Sequence, residues 1–153
     1  PPGPLLPDVI AGAVPFAVAA MGTAPHLRLL AAGAERLEPG IYRVWADVGN
    51  DGFLPTSGSE RYQTPGKGRP ILARIALPSG ARLLPATAGA ERAIAHLAGR
   101  VGQHTSFAFS ARYPNLSRGH VEWLVAAPAG AAIDLTIQTE KAGTRRATVV
   151  TGA

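Results

Sequence analysis

The sequence predicts an all-β domain, an antiparallel β-sandwich of immunoglobulin-like or related type with about seven or eight strands, after a short apolar helix or linker. At 153 residues the chain has room for one domain with a buried core but not for two. Its 18 glycines and 14 prolines leave few stretches free for long helices. Apolar residues alternate with a period of two between turn residues, without the helical segments that a parallel α/β fold requires.

The N-terminal residues differ from the rest because they carry a helical pattern. An uncharged stretch, Val9–Met21, follows Asp8, which can cap a helix, and contains Pro15. Four apolar residues share one helical face: Ile10, Val14, Val18 and Met21. We expect a short helix, kinked at the proline, in residues 1–24 as a linker from an upstream domain, with the sandwich in 25–153. The stretch of 13 residues is shorter than the about 20 that a bilayer requires, so no membrane span is expected.

Eight segments alternate in the manner of strands. They are residues 26–31, 40–48, 70–77, 93–101, 105–111, 120–126, 131–139 and 145–151. In the second segment Tyr42 and Val44 share a face that opposes Arg43 and Trp45, which indicates a strand buried on one side. Trp123 lies between two valines and is predicted to be core. Trp45 and Arg43 are left as a possible surface contact, although Trp45 fits a second core layer about as well. Residues 56–69 and 87–92 are predicted loops.

Composition excludes several classes of function. With no cysteine, the chain has no disulfide framework, iron–sulfur cluster or thiol nucleophile, and its compartment stays open, the periplasm or secretion included. The net charge of +5 comes from arginines spread along the whole chain, whereas a nucleic-acid binder concentrates its positive charge. Only 16% of residues are charged, which suggests that part of the apolar surface belongs to a partner absent from this sequence.

No catalytic or metal-binding pattern is present, so we expect no catalytic residue, metal or cofactor in this chain. None of the four histidines belongs to a His-x-x-Glu or His-Glu-x-x-His pattern. His120 and Glu122 are two apart and would share one strand face about 7 Å apart, which makes a two-ligand half-site conceivable. A solvated polar pair is the favoured interpretation.

The segment Asn50–Thr56 is the most specific motif in the chain. Asn50 can bond its own backbone two residues ahead, and the glycines on either side of it tolerate positive φ, so the strand can turn sharply. Phe53 and Leu54 would then plug one end of the sandwich, and Pro55 would end strand pairing. We interpret Asn50, Gly52, Phe53, Leu54, Pro55 and Thr56 as a structural motif rather than a ligand-binding loop, together with Trp123 in the core.

A strand ending in Asn-x-Gly-aromatic-Leu-Pro-Thr, preceded by Pro25-His26-Leu27-Arg28, resembles the C-terminal β-domain of bacterial zinc carboxypeptidases, relatives of carboxypeptidase A. The matching pieces are 50–56, 122–125 and 142–145. In that family a His-x-x-Glu pair and a later His hold zinc, a Glu acts as base and an Arg binds the substrate carboxylate. None of these can be placed in this chain, so the resemblance implies that zinc and catalysis belong to a missing catalytic domain.

The resemblance therefore implies a non-catalytic accessory domain that packs on or orients the catalytic domain of its parent, and that contacts peptide or cell-wall glycan. The alternative is a free-standing carbohydrate- or protein-binding module of the adhesion type. A third interpretation, a hydrolase in its own right, is the weakest of the three.

Overall fold

The computed structural model describes residues 3–58, 68–100 and 117–152. A 3₁₀ turn, Gly3–Leu5, leads into helix α1, Leu6–Met21. Within the described residues, eight strands follow in chain order: β1 Leu27–Glu38, β2 Ile41–Asn50, β3 Ile71–Ala76, β4 Arg82–Leu84, β5 Glu91–Ile94, β6 Arg118–Ala126, β7 Ala132–Gln138 and β8 Thr144–Val150.

The strands form two four-stranded antiparallel sheets, which confirms the predicted sandwich. The first sheet, sheet A, has the order β1-β2-β6-β4, and the second, sheet B, has the order β5-β3-β7-β8. Apolar residues of alternating positions face inward from both sheets and form the core. Tyr42 and Val44 lie in a buried row with residues 46 and 48, and three further rows are buried: residues 71, 73 and 75, residues 121, 123 and 125, and residues 133, 135 and 137. Leu77, in line with the second of these rows, is partly buried against the core. Trp123 is 1% exposed, as the sequence predicts.

Several predicted strand limits are wrong. The first strand, predicted over 26–31, extends to Glu38 because it pairs with β2 along its length, and β5 begins at Glu91, inside the predicted loop 87–92. The segment predicted over 93–101 is a strand only in β5, because the backbone beyond it bonds to the loop after β2 instead of to a sheet. The Thr56 amide donates to the Leu97 carbonyl at 2.9 Å, and the Arg100 amide donates to the Gly52 carbonyl at 3.0 Å. The short strand β4 was not predicted, because three residues are too few to show a period. The strand predicted over 105–111 lies outside the described residues.

Helix α1 is longer than predicted and begins at Leu6, with a proline in its first turn, where a missing amide costs nothing. None of its residues is buried. Together with the turn before it, the segment Gly3–Met21 has 19 residues and is by length and composition alone able to cross a membrane. The expectation that the apolar segment is too short for a bilayer is therefore wrong. The expectation counted only Val9–Met21, whereas the helical segment also includes the residues before Val9.

Candidate functional site

The chain leaves the helix and enters the sandwich through a compact polar region, which we call the junction. It consists of residues 23–26, 50–56 and 97–100. Backbone bonds join all three segments. The Leu54 amide donates to the Thr23 carbonyl at 2.9 Å, the Asp51 amide to the His26 carbonyl at 3.2 Å, and the Thr56 amide to the Leu97 carbonyl at 2.9 Å. The connection between helix and sandwich is thus fixed by hydrogen bonds rather than by a free linker.

Asn50 is the centre of the junction and is only 4% exposed. Its Oδ1 accepts the His26 amide at 2.9 Å and the Gly52 amide at 3.1 Å, and the second of these bonds is the Asx turn that the sequence predicts. Its Nδ2 donates to the Leu54 carbonyl at 2.8 Å and to the Ala98 carbonyl at 3.2 Å. One amide side chain therefore satisfies four backbone groups in all three segments of the junction, which a shorter side chain or a carboxylate cannot do.

Gly52 serves a different purpose from the one expected. Neither it nor Gly49 has a positive φ. A Cβ at Gly52 would instead lie 2.4 Å from the Ala24 carbonyl oxygen and 2.6 Å from the His26 nitrogen, so no side chain fits there. Glycine is required because two backbone segments pass in direct contact, not because the chain turns left-handed.

The predicted plug is also corrected. Phe53 is 49% exposed and Leu54 is half-buried, because their backbone faces the junction while the phenyl ring lies outside it. Thr56 is the buried end of the motif, and its Oγ1 accepts the Leu97 amide at 2.8 Å. Pro55 follows Leu54 outside any strand, as predicted. The segment closes the sandwich through polar backbone bonds instead of through an apolar side chain.

A row of charged and hydrogen-bonded side chains, the charged row, borders the junction. His26 Nδ1 lies 2.7 Å from Asp51 Oδ1, and His26 Nε2 lies 3.0 Å from Arg145 Nη2. Since a guanidinium only donates, Nε2 accepts and Nδ1 carries the proton. Arg28 Nη1 donates to the second Asp51 oxygen at 3.1 Å. Burial raises the pKa of Asp51, but the hydrogen bonds from His26 and Arg28 lower it by more, and the net pKa lies below its ordinary value.

Phe53 and the charged row border an open hollow of about 580 Å³ between the helix end and the sandwich. The apolar lining comes from Ala19 and Phe53, and the polar lining from His26, Asp51 and Arg100. The hollow is continuous with the exposed surface of α1. Helix, hollow and junction therefore form one surface at this end of the molecule.

A second candidate region lies on the outer face of sheet A, where alternate residues of β2 and β6 point away from the core. Trp45 and Arg43 both lie on this face, where Trp45 is partly buried and Arg43 is exposed. Trp45 lies against Gly33, where a Cβ would come within 3.1 Å of its ring, and stacks on His120 with centroids 6.4 Å apart. The shallow hollow here measures about 320 Å³.

His120 and Glu122 do meet on this face. His120 Nδ1 lies 2.7 Å from Asp47 Oδ1, and its Nε2 lies 3.5 Å from Glu122 Oε2. The hydrogen bond to Asp47 raises the pKa of His120 and outweighs burial, which lowers it, and Glu122 adds to the rise. In residues 3–58, 68–100 and 117–152 no group of three or more metal-ligating side chains converges. Asp47, His120 and Glu122 therefore form an exposed ionic cluster.

Sequence reasoning missed two parts of these sites. It did not find residues 97–100 as partners of the motif, and it did not bring Arg28, Arg100 and Arg118 together, although they line a third hollow of about 220 Å³. No local signal marks either set, because the residues are far apart in the chain. Strand register alone places Arg28 and Arg118 on either side of Gly49.

Comparisons with known proteins identify a family and a similar solved structure. The family model described as "Domain of unknown function (DUF8731)" matches residues 26–150. No curated protein sequence matches the chain. The crystal structure of the GAE domain of GGA2p from Saccharomyces cerevisiae is similar, with a TM-score of 0.43 and 12% identity over 82% of this chain and 87% of that chain. A likeness this distant does not bear on function.

Proposed function

Since the chain belongs to the family described as "Domain of unknown function (DUF8731)", whose description names no activity, we propose a function from the geometry: a non-catalytic accessory domain that packs on and orients the catalytic domain of a zinc carboxypeptidase. The proposal combines the resemblance of 50–56, 122–125 and 142–145 with one observation that carries it. That observation is an exposed apolar helix fixed to the sandwich by the junction.

Helix α1 supports the proposal because water is an unfavourable environment for it. Its apolar side chains are exposed, Phe16 to 77% and Met21 to 68%, and Asp8 is its one charged residue. An isolated helix of 16 residues is marginal without tertiary contacts, and an apolar patch of this kind marks a docking surface. A protein surface that covers the helix would supply the missing contacts. The alanines and Gly12 allow a close approach of another backbone.

The junction supports the orienting role. Because Asn50 and Gly52 hold residues 23–26 against the sandwich, the sandwich cannot swing freely about the end of α1. Any domain that covers the helix therefore also sets the direction of both sheets. In this proposal zinc, the catalytic base and the carboxylate-binding Arg belong to the catalytic domain, and this chain contributes no reacting group.

The first test is the coding sequence upstream of Pro1. We expect it to encode a His-x-x-Glu pair and a further His about one hundred residues later, the ligand set of a three-ligand catalytic zinc site. A gene that begins close to Pro1, or an upstream sequence without that pair, contradicts the proposal. Metal-dependent peptidase activity from this chain alone would contradict it as well.

The second test uses the full-length polypeptide encoded by that gene. Phe16→Glu places a charge on the helix surface and should release the sandwich, so that limited proteolysis with a nonspecific protease cleaves within α1 and the thermal transition of the catalytic domain falls. Leu37→Glu is the matched control, because Leu37 is an apolar residue of β1 with 48% exposure outside the helix. Equal behaviour of the two variants would contradict docking through α1.

The alternative, a free-standing binding module, is favoured by the outer face of sheet A. Trp45 lies beside Arg43, Asp47 and Glu122, so an aromatic ring stands among polar side chains on this face. This alternative requires that the chain alone binds glycan or peptidoglycan and that Trp45→Ala removes the binding. A pull-down on those polymers that recovers no protein contradicts it.

A further inference from the structure

The hollow lined by Arg28, Arg100 and Arg118 is used by neither proposal above. It lies at the junction end of the outer face of sheet A and measures about 220 Å³. We propose that this hollow is a binding site for a phosphate group, held by the three guanidinium groups above Gly49.

Strand register builds the site. Arg28 of β1 and Arg118 of β6 both pair with Gly49 of the strand between them. Directly paired residues project from the same face, so the two arginines stand on either side of a position without a side chain. Neighbouring strands lie about 4.8 Å apart, which puts the two Cα atoms about 10 Å apart. Two arginine side chains can reach a common anion across that gap.

Arg100 completes the lining from the 97–100 segment, and its amide bonds to the Gly52 carbonyl at 3.0 Å. The junction therefore fixes the backbone from which this third guanidinium extends. Leu30 packs over Gly49, with its Cδ1 3.1 Å from where a Cβ on the glycine would lie, so Gly49 and the leucine side chain together form the base of the hollow between the arginines. Arg28, Arg100 and Arg118 are exposed, so a ligand can enter from solvent.

The charge of the hollow suits a dianion. Arg100 and Arg118 form no ion pair within the part of the chain that the structure describes, and Arg28 shares Asp51 with His26. Three arginines against one aspartate leave two positive charges without a partner there. A guanidinium presents a planar fork of donors that matches phosphate oxygens two at a time. A phosphate monoester or inorganic phosphate carries the corresponding charge near neutral pH.

Isothermal titration of the full chain with inorganic phosphate, glycerol 3-phosphate and acetate tests the site. We expect saturable binding of phosphate with one site per chain and a Kd below about 1 mM. Arg118→Gln and Arg100→Gln should each weaken it roughly tenfold or more, since each removes charge-assisted hydrogen bonds. Arg82→Gln is the control, with the same loss of charge on the exposed edge strand β4. Arg118→Lys, which keeps the charge but not the fork, should lie between.

The two phosphate ligands separate the sources of the anion. Tighter binding of glycerol 3-phosphate than of inorganic phosphate supports a phosphate ester as ligand, and equal or weaker binding supports the free anion. Both support the phosphate site. Absence of saturable phosphate binding, equal binding of acetate, or an Arg82→Gln variant weakened as much as Arg118→Gln overturns it. Far-ultraviolet circular dichroism confirms that each variant is folded, and none of the three arginines is in the core.

Discussion

The junction and the outer face of sheet A are both polar, but they hold their polar groups in opposite ways. At the junction one buried amide, Asn50, satisfies four backbone groups. On the outer face the polar groups are exposed side chains that pair with one another, Asp47 with His120 and Glu35 with Arg43. The first arrangement removes backbone groups from water, and the second leaves its charges in water.

This difference indicates that the stability of the fold depends more on the junction than on the outer face of sheet A. A buried group that loses its partner costs about 1–3 kcal/mol, whereas an exposed ion pair contributes about 0.2–1 kcal/mol. The junction should therefore tolerate few substitutions, while the outer face should tolerate many and can change its ligands without unfolding the sheet. Four predictions test this contrast.

The largest effect is expected for Asn50→Ala. It removes four hydrogen bonds and leaves buried backbone groups without partners, so the free energy of unfolding should fall by about 3 kcal/mol or more. Urea unfolding measures the change. Gln138→Ala, which removes an exposed amide from β7, is the control and should change stability by no more than about 0.5 kcal/mol. Equal losses in the two variants would show that the junction is not stabilised by this side chain.

Gly52→Ala comes next. Its Cβ would overlap the backbone of residues 24–26, and backbone cannot move aside as a flexible side chain can, so we expect a loss of about 1–3 kcal/mol. Gly152→Ala is the matched control, because a Cβ there meets nothing within 4 Å. The same unfolding midpoint in both variants would mean that residues 24–26 are not held against Gly52.

Phe53→Ala tests whether the phenyl ring or the backbone hydrogen bonds hold residues 50–56 in the junction. We expect the backbone bonds to hold them. The half-exposed ring should contribute no more than about 1 kcal/mol to stability, instead of the about 3–5 kcal/mol of a buried phenylalanine. Leu135→Ala in the core, with Leu135 at 1% exposure, should cost about 2–5 kcal/mol and serves as reference. If Phe53→Ala lowered the free energy of unfolding as much as Leu135→Ala does, Phe53 would be the apolar plug that the sequence predicts.

The smallest effect is expected on the outer face and depends on pH. Because the hydrogen bond to Asp47 raises the folded-state pKa of His120 above 6.5, this pair stabilises the fold fully below that pH and loses its contribution as the pH rises through the folded pKa. The contribution should be about 0.2–1 kcal/mol. Urea unfolding at about pH 5.5 and about pH 8.5 measures it, with nuclear magnetic resonance titration of His120 to locate the pKa.

Asp47→Asn is the matched variant, since it removes the charge that faces His120 and keeps the size of the side chain. It should lower the pKa of His120 and reduce the stability difference between the two pH values. A pKa of His120 that does not move in Asp47→Asn would contradict the pairing.

Periodicity predicted most of the sandwich. In β2, β3, β6 and β7 one face contacts the core and the other contacts water, so the alternation of residues such as Tyr42 and Arg43 reports burial directly. It could not predict β4, which is shorter than one clear period, or the end of β5, where the backbone turns to the junction. The length of α1 was also missed, because an apolar segment on its own has no polar face that marks its limits.

The sequence by itself determined the class of fold, the inward rows and the Asx turn at Asn50, because each depends on residues within a few positions of one another. Only the tertiary structure decided that Asn50 also bonds to the carbonyl of Ala98, that Gly52 is required by the backbone of residues 24–26, and that Arg28 and Arg118 stand on either side of Gly49. These contacts join segments distant in the chain, and their geometry exists only once strand register and the packing of the two sheets are set.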